Sequence, residues 1–100
     1  MPVATAKVGQ VVVAQAENWE VVEGNIYFPP SSVKKDMLQP SSHSTYCPWK
    51  GQASYNDVVA DGKTLTNVVW HYQTPSDKAK HIQNYYAFYN GKGVDVEVEE

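Results

Sequence analysis

Gln52-Ala53-Ser54-Tyr55-Asn56-Asp57-Val58-Val59-Ala60-Asp61-Gly62-Lys63-Thr64-Leu65-Thr66-Asn67-Val68-Val69-Trp70-His71-Tyr72 reads as a β-hairpin. β-Branched and aromatic side chains dominate it, and Asp61-Gly62 is the strongest turn signal in the chain. A two-residue hairpin turn needs positive φ at both positions, which Asp-Gly tolerates. Ala53, Tyr55 and Val59 fall on one side of the outgoing strand, with Gln52, Ser54 and Asn56 opposite. On the return, Val68, Trp70 and Tyr72 alternate with Asn67, Val69 and His71. Because side chains of a strand alternate between faces, this predicts Trp70 largely buried and His71 facing outward.

The flanking segments extend the β character. Val3 to Val13 is valine-rich with a break at Gly9-Gln10, which predicts two short strands and a tight turn. Trp19 to Glu23 and Ile26 to Phe28 flank the turn pair Gly24-Asn25, a second hairpin that Pro29-Pro30 stops. Ser31 or Ser32 can cap one helical turn from Val33 to Leu38, ended by Pro40 and followed by a polar loop, Ser41 to Ser44. Thr74-Pro75-Ser76-Asp77 opens a helix to about Tyr85 that buries Ala79 and Ile82 and exposes Lys78 and Lys80. Tyr86 to Tyr89 is a strand, and Asn90 to Gly93 turns it. Val94, Val96 and Val98 then alternate with Asp95, Glu97 and Glu99, whose charge suits an edge. With no repeat and no linker, residues 1–100 read as one domain: mainly β, antiparallel, with two short helices.

Composition narrows function. Hydrophobic residues make up 42% of the chain, enough for a folded core. A net charge of −3 argues against nucleic acid as a partner. All eight basic residues are lysines, so the arginine fork that grips phosphate and carboxylate is missing. One cysteine makes neither an internal disulfide nor a cysteine-rich zinc site, so metal and cofactor are expected absent. The first thirty residues do not read as a signal peptide and no run is long enough to span a membrane, so a cytoplasmic address is expected.

Chemistry concentrates in Thr45-Tyr46-Cys47-Pro48-Trp49-Lys50-Gly51, a turn bracketed by Pro48 and Gly51. Cys47 is a candidate nucleophile or redox thiol, activated by Lys50 or His43, with Glu23 as acid or base. A free cysteine is equally at home as a small buried side chain. Tyr27, Trp49, Tyr55, Trp70 and Tyr72, with Tyr89, are candidates to line a cleft for a flat or cationic small molecule; each would also serve as core. His43 and Cys47 are four apart, a metal-ligand spacing only on a helix, which Pro48 opposes.

Four segments together carry a resemblance. Glu23-Gly24-Asn25-x-Tyr27-Phe28-Pro29-Pro30, Thr45-x-Cys47-Pro48-Trp49-Lys50-Gly51-x-Ala53-x-Tyr55, Trp70-x-Tyr72-x-x-Pro75 and Ala87-Phe88-Tyr89 occur in the order seen in the domain-of-unknown-function 427 family. The similarity runs from about Val11 to Val96, and short single-domain members of that family are familiar from bacteria. It implies a β-tent-like fold, two antiparallel sheets pinned at one edge with a pocket between them. Zinc-binding relatives of that group use four cysteines, which this chain does not have. The family also carries a nucleotidyltransferase-like name, but the residues argue against that reaction. No acid pair follows a Gly-Ser turn, there is no glycine-rich phosphate loop, and Asp57 and Asp61 merely flank a turn. Three readings stand: small-molecule binding at the Cys47–Gly51 turn, an enzyme built on Cys47, and a protein-interaction module.

Overall fold

The computed structural model describes residues 2–100. Strands β1 (Val3–Val8) and β2 (Val11–Ala16) pair across the expected Gly9-Gln10 turn. β3 (Glu20–Val22) and β4 (Asn25–Phe28) form the second hairpin. Its turn pair is Glu23-Gly24, at φ 55° and 79°, one residue earlier than expected. Both φ values are positive, the signature of the tight hairpin turn whose twist matches the strands. β5 (Leu38–Cys47), β6 (Gly51–Ala60), β7 (Lys63–His71), β8 (Tyr86–Phe88) and β9 (Asp95–Glu99) complete the described strands.

They make two antiparallel sheets. One has three strands in the order β2-β1-β9; the other has six, in the order β3-β4-β8-β7-β6-β5. Ala4, Ala6, Val13 and Ala14 of the small sheet meet Phe28, Val58, Val69 and Phe88 of the large one. Phe28 and Phe88 pack edge to face at 5.6 Å. Alanines on β1 let the sheets approach closely enough to bury both rings, burial worth about 1.5–3 kcal/mol for each large side chain. Among the described residues, these side chains fill the space between the sheets where the resemblance implied a pocket.

A second cluster covers the opposite face of the large sheet. Tyr27, Ala53, Tyr72 and Ala87 pack there against Ala79 and Ile82. Those two come from a kinked 3₁₀ segment, Asp77–Ile82, rather than from a helix reaching Tyr85. Ala79 and Ile82 are buried and Lys78 and Lys80 exposed, as the pattern predicts. No side chain caps its start, and Ala79 leaves helical geometry at φ −118°.

Two covered faces explain several departures. His71 follows Val69 by two residues and shares its face, which meets the small sheet; it is 7% exposed beside Tyr86 instead of facing outward. Val58 and Ala60 are buried on that same face, while Val59 on the other is exposed. An irregularity at Thr66–Val68, with Asn67 at φ 56°, turns Val68 as well as Val69 into the core. Trp70 is partly exposed, less buried than expected, because its face opens into a cleft.

The segment 33–47 departs most. Two short 3₁₀ turns, Pro30–Ser32 and Lys35–Met37, replace the helical turn, and Leu38–Cys47 is a ten-residue edge strand. Pro40 is tolerated because an edge strand leaves one side of its backbone unpaired, and the pairing is interrupted between Pro40 and Ser44.

His71 carries a pH consequence. Its Nδ1 is buried without a partner, and burial holds its pKa below the ordinary 6.5, so the ring is neutral at neutral pH. An unfolded chain takes up a proton near 6.5 where the folded one resists. Stability should therefore fall as pH drops below that value, and His71→Leu should flatten this part of a urea-melt series run against pH.

Candidate functional site

Cross-strand neighbours build the site on the outer face of the large sheet. Glu20, Tyr27, Ala87, Trp70 and Tyr55 follow one another across β3, β4, β8, β7 and β6. Ala87 is the small member, and across it the Trp70 indole N–H donates to the Tyr27 hydroxyl at 3.0 Å, with the rings edge to face at 6.3 Å. Tyr72 lies two residues beyond Trp70, and Asn25 two before Tyr27, so both share this face. Tyr89, two past Ala87, packs on Trp70 at 5.1 Å.

Lys50 arrives from the β5–β6 turn. Gly51, at φ +107°, sends the chain into β6 where a Cβ would stand 3.4 Å from the Thr74 carbonyl. The turn is held from the other side: the Ser76 amide donates to the Lys50 carbonyl at 3.0 Å, and its hydroxyl to the Trp49 carbonyl. So held, the Lys50 ammonium donates to Glu23 of the β3–β4 turn. β5 and β3 are the two edges of the six-stranded sheet, so this ion pair ties its two margins together over one face. The Trp49 indole donates to the other Glu23 oxygen at 3.4 Å. The ammonium lies 5.5 Å from the ring centres of both Trp49 and Tyr72.

The electrostatics follow from that arrangement. Lys50 is 7% exposed, and burial alone pushes its ammonium pKa down. The Glu23 hydrogen bond, together with Tyr27 and Tyr72, outweighs burial, and the net shift is upward. The Lys50 hydrogen bond holds Glu23 below the usual carboxylate value against a smaller effect of burial. Burial pushes the Tyr27 and Tyr72 phenols up, so both stay protonated at neutral pH.

Beside this group lies a cleft of about 400 Å³. Tyr55, Trp70, Tyr72 and Tyr89 form its walls, with Lys50, Asn25 and Asn90 supplying polar groups. Of the sequence candidates, Lys50, Tyr55, Trp70, Tyr72 and Tyr89 thus come together. Tyr27 is fully buried and stands outside the lining, touching it through Trp70 and Tyr72. Trp49 faces a separate, shallower groove with Pro48 and Ser76. Glu23 sits behind Lys50, outside the lining.

Cys47 is partly exposed, and its expected activators are engaged elsewhere: Lys50 with Glu23, and His43 packed edge-on against Tyr55 at 4.6 Å. Asn25 and Asn90 escaped the sequence reading, since turn positions explain an asparagine without any site. Among the described residues, no three His, Cys, Asp or Glu side chains gather as a metal site. Nor is any helix among them long and apolar enough to cross a membrane.

The molecule is thus an antiparallel two-sheet domain with an aromatic cleft on the outer face of its larger sheet. The family model described as "Domain of unknown function (DUF427)" matches residues 3–100, and the chain belongs to that family. A search of curated proteins gives no match.

Proposed function

We propose that this domain binds a small planar molecule in the outer cleft, against Trp70 and Tyr89. The observation that carries this reading is a lysine, 7% exposed, set among four aromatic residues at a cleft of about 400 Å³. A volume of that order lies within the range of small-molecule sites, and aromatic walls with a few convergent polar groups are their usual lining. The clasped Lys50 turn leaves little side-chain freedom to lose on binding. This reading is favoured over catalysis by Cys47, because Lys50 and His43 have other partners.

A thermal-shift screen with flat heterocyclic fragments tests it, since a ligand of the folded state raises the melting temperature by mass action. Tyr89 is 38% exposed, so Tyr89→Ala should fold normally. It should nevertheless weaken hits by about 1 kcal/mol through lost ring contact. Hits whose affinity survives in both Tyr89→Ala and Trp70→Ala would contradict the cleft as their site.

A further inference from the structure

The geometry points to a specific ligand class: a planar aromatic ring bearing a carboxylate, with Lys50 as the counter-charge. This inference rests on the cleft reading above and narrows it.

The lining is rich in donors and contains no carboxylate. Phenol, ammonium and amide groups can all donate, and only hydroxyls and amide oxygens accept. A ligand that supplies acceptors and negative charge completes this set, whereas a cation would meet Lys50 directly. A lysine ammonium has three donors. Glu23 takes one and the Tyr72 hydroxyl another, both partners that a ligand carboxylate lodged in the cleft beside Lys50 can supplement or replace. A second cation stands outside the same wall: the Lys92 ammonium lies 4.5 Å from the centre of the Tyr89 ring. The one acid touching Lys50 is Glu23, whose carboxylate side chain is about half exposed. That exposure matters, because Glu23 can return to water at little cost when a ligand carboxylate takes its place on the ammonium.

The test uses naphthoate and naphthamide, which share a ring system and differ in charge. Their affinities for the full chain would be measured by calorimetry near neutral pH, at low and high ionic strength. Naphthoate should bind at least about tenfold more tightly than naphthamide, as expected for one charge-assisted contact in a partly dry site. Added salt should narrow that ratio. Lys50→Met should erase it, while Lys92→Met should leave most of it. Glu23→Gln, which removes the competing carboxylate from a half-exposed position, should widen the ratio.

Equal binding of the two probes would overturn the carboxylate class and leave the cleft reading intact. So would a ratio that persists in Lys50→Met or disappears in Lys92→Met. Should Lys50→Met fail to fold, the salt series on the unaltered chain decides: a ratio that added salt leaves unchanged overturns the assignment. If wild type binds neither probe at millimolar concentration, the inference and the cleft reading both fall.

Discussion

Phe28→Ala should lower the free energy of unfolding by about 3–5 kcal/mol. Phe28 is fully buried between the two sheets and packs edge to face on Phe88. Around it lie Ala4, Ala6 and Ala14, side chains already too small to move into the vacated space. The cavity term therefore stays large, because sheet backbones on both sides resist collapse. Phe88 would also lose its ring partner, an interaction worth about 0.5–1.5 kcal/mol beyond area alone. Val21→Ala serves as the control: Val21 is 61% exposed on an edge strand, and its loss should stay within about 0.5 kcal/mol. Urea melts followed by fluorescence measure both, with the midpoint shift read at constant slope.

The Lys50–Glu23 pair should respond asymmetrically. Glu23→Ala strands a buried ammonium, whereas Lys50→Met leaves a carboxylate that water can reach. Stranding the buried partner is the costlier event. Glu23→Ala should therefore lower the melting temperature more than Lys50→Met does, the reverse of what deleting the longer side chain would suggest.

The pH dependence follows from the two shifts. Glu23 is held below its ordinary 4.5, so its stabilisation is present above that value and fades as pH falls through the folded pKa. Lys50 is held above its ordinary 10.5, so its share is present below that value and fades as pH rises through the folded one. The pair should thus contribute a plateau between those limits, and Lys50→Met should remove the plateau while leaving the acid loss due to His71.

Hairpins were legible in the sequence because each is punctuated by a glycine at positive φ and flanked by β-branched residues. The Asp61-Gly62 turn and its two strands stand where expected, and the alternation breaks only at the Thr66–Val68 irregularity, which sends Val68 to the other face. Strand β5 was not legible. Leu38 to Cys47 has no apolar alternation, because an edge strand that is largely exposed needs only backbone partners on β6. Proline, serine and histidine there read as loop for the same reason.

The faces were harder than the strands. Alternation says that Val69 and His71 share a side, but not that a second sheet will cover it. Hence His71 is buried against expectation. The 3₁₀ segment keeps the predicted burial of Ala79 and Ile82, since that depends on spacing alone; its shortness reflects the kink at Ala79 and the turn that carries Asn84 at φ 63°.

For the site, the motif around Lys50 and the aromatic residues named five of the cleft's seven lining residues, Lys50, Tyr55, Trp70, Tyr72 and Tyr89. What the sequence could not carry was the side of the sheet. The cleft lies outside the large sheet because the interior is filled by alanine, valine and phenylalanine, leaving the tyrosine face as the open one. Nor could spacing pair Lys50 with Glu23 instead of with Cys47. That contact depends on two turns from opposite edges meeting over one face.

The central claim is that the outer cleft takes a planar ligand, and a chemical-shift titration of ¹⁵N-labelled protein with naphthoate tests it most directly. Trp70 provides a reporter in place, since its indole N–H donates to Tyr27 beneath the cleft and should move when a ring settles on it. Saturable shifts are expected at the Trp70 indole and at the amides and side chains of Asn25, Tyr72, Tyr89 and Asn90, with the small sheet unmoved. Shifts confined to the groove beside Pro48 and Trp49, or scattered over both sheets without saturation, would contradict it.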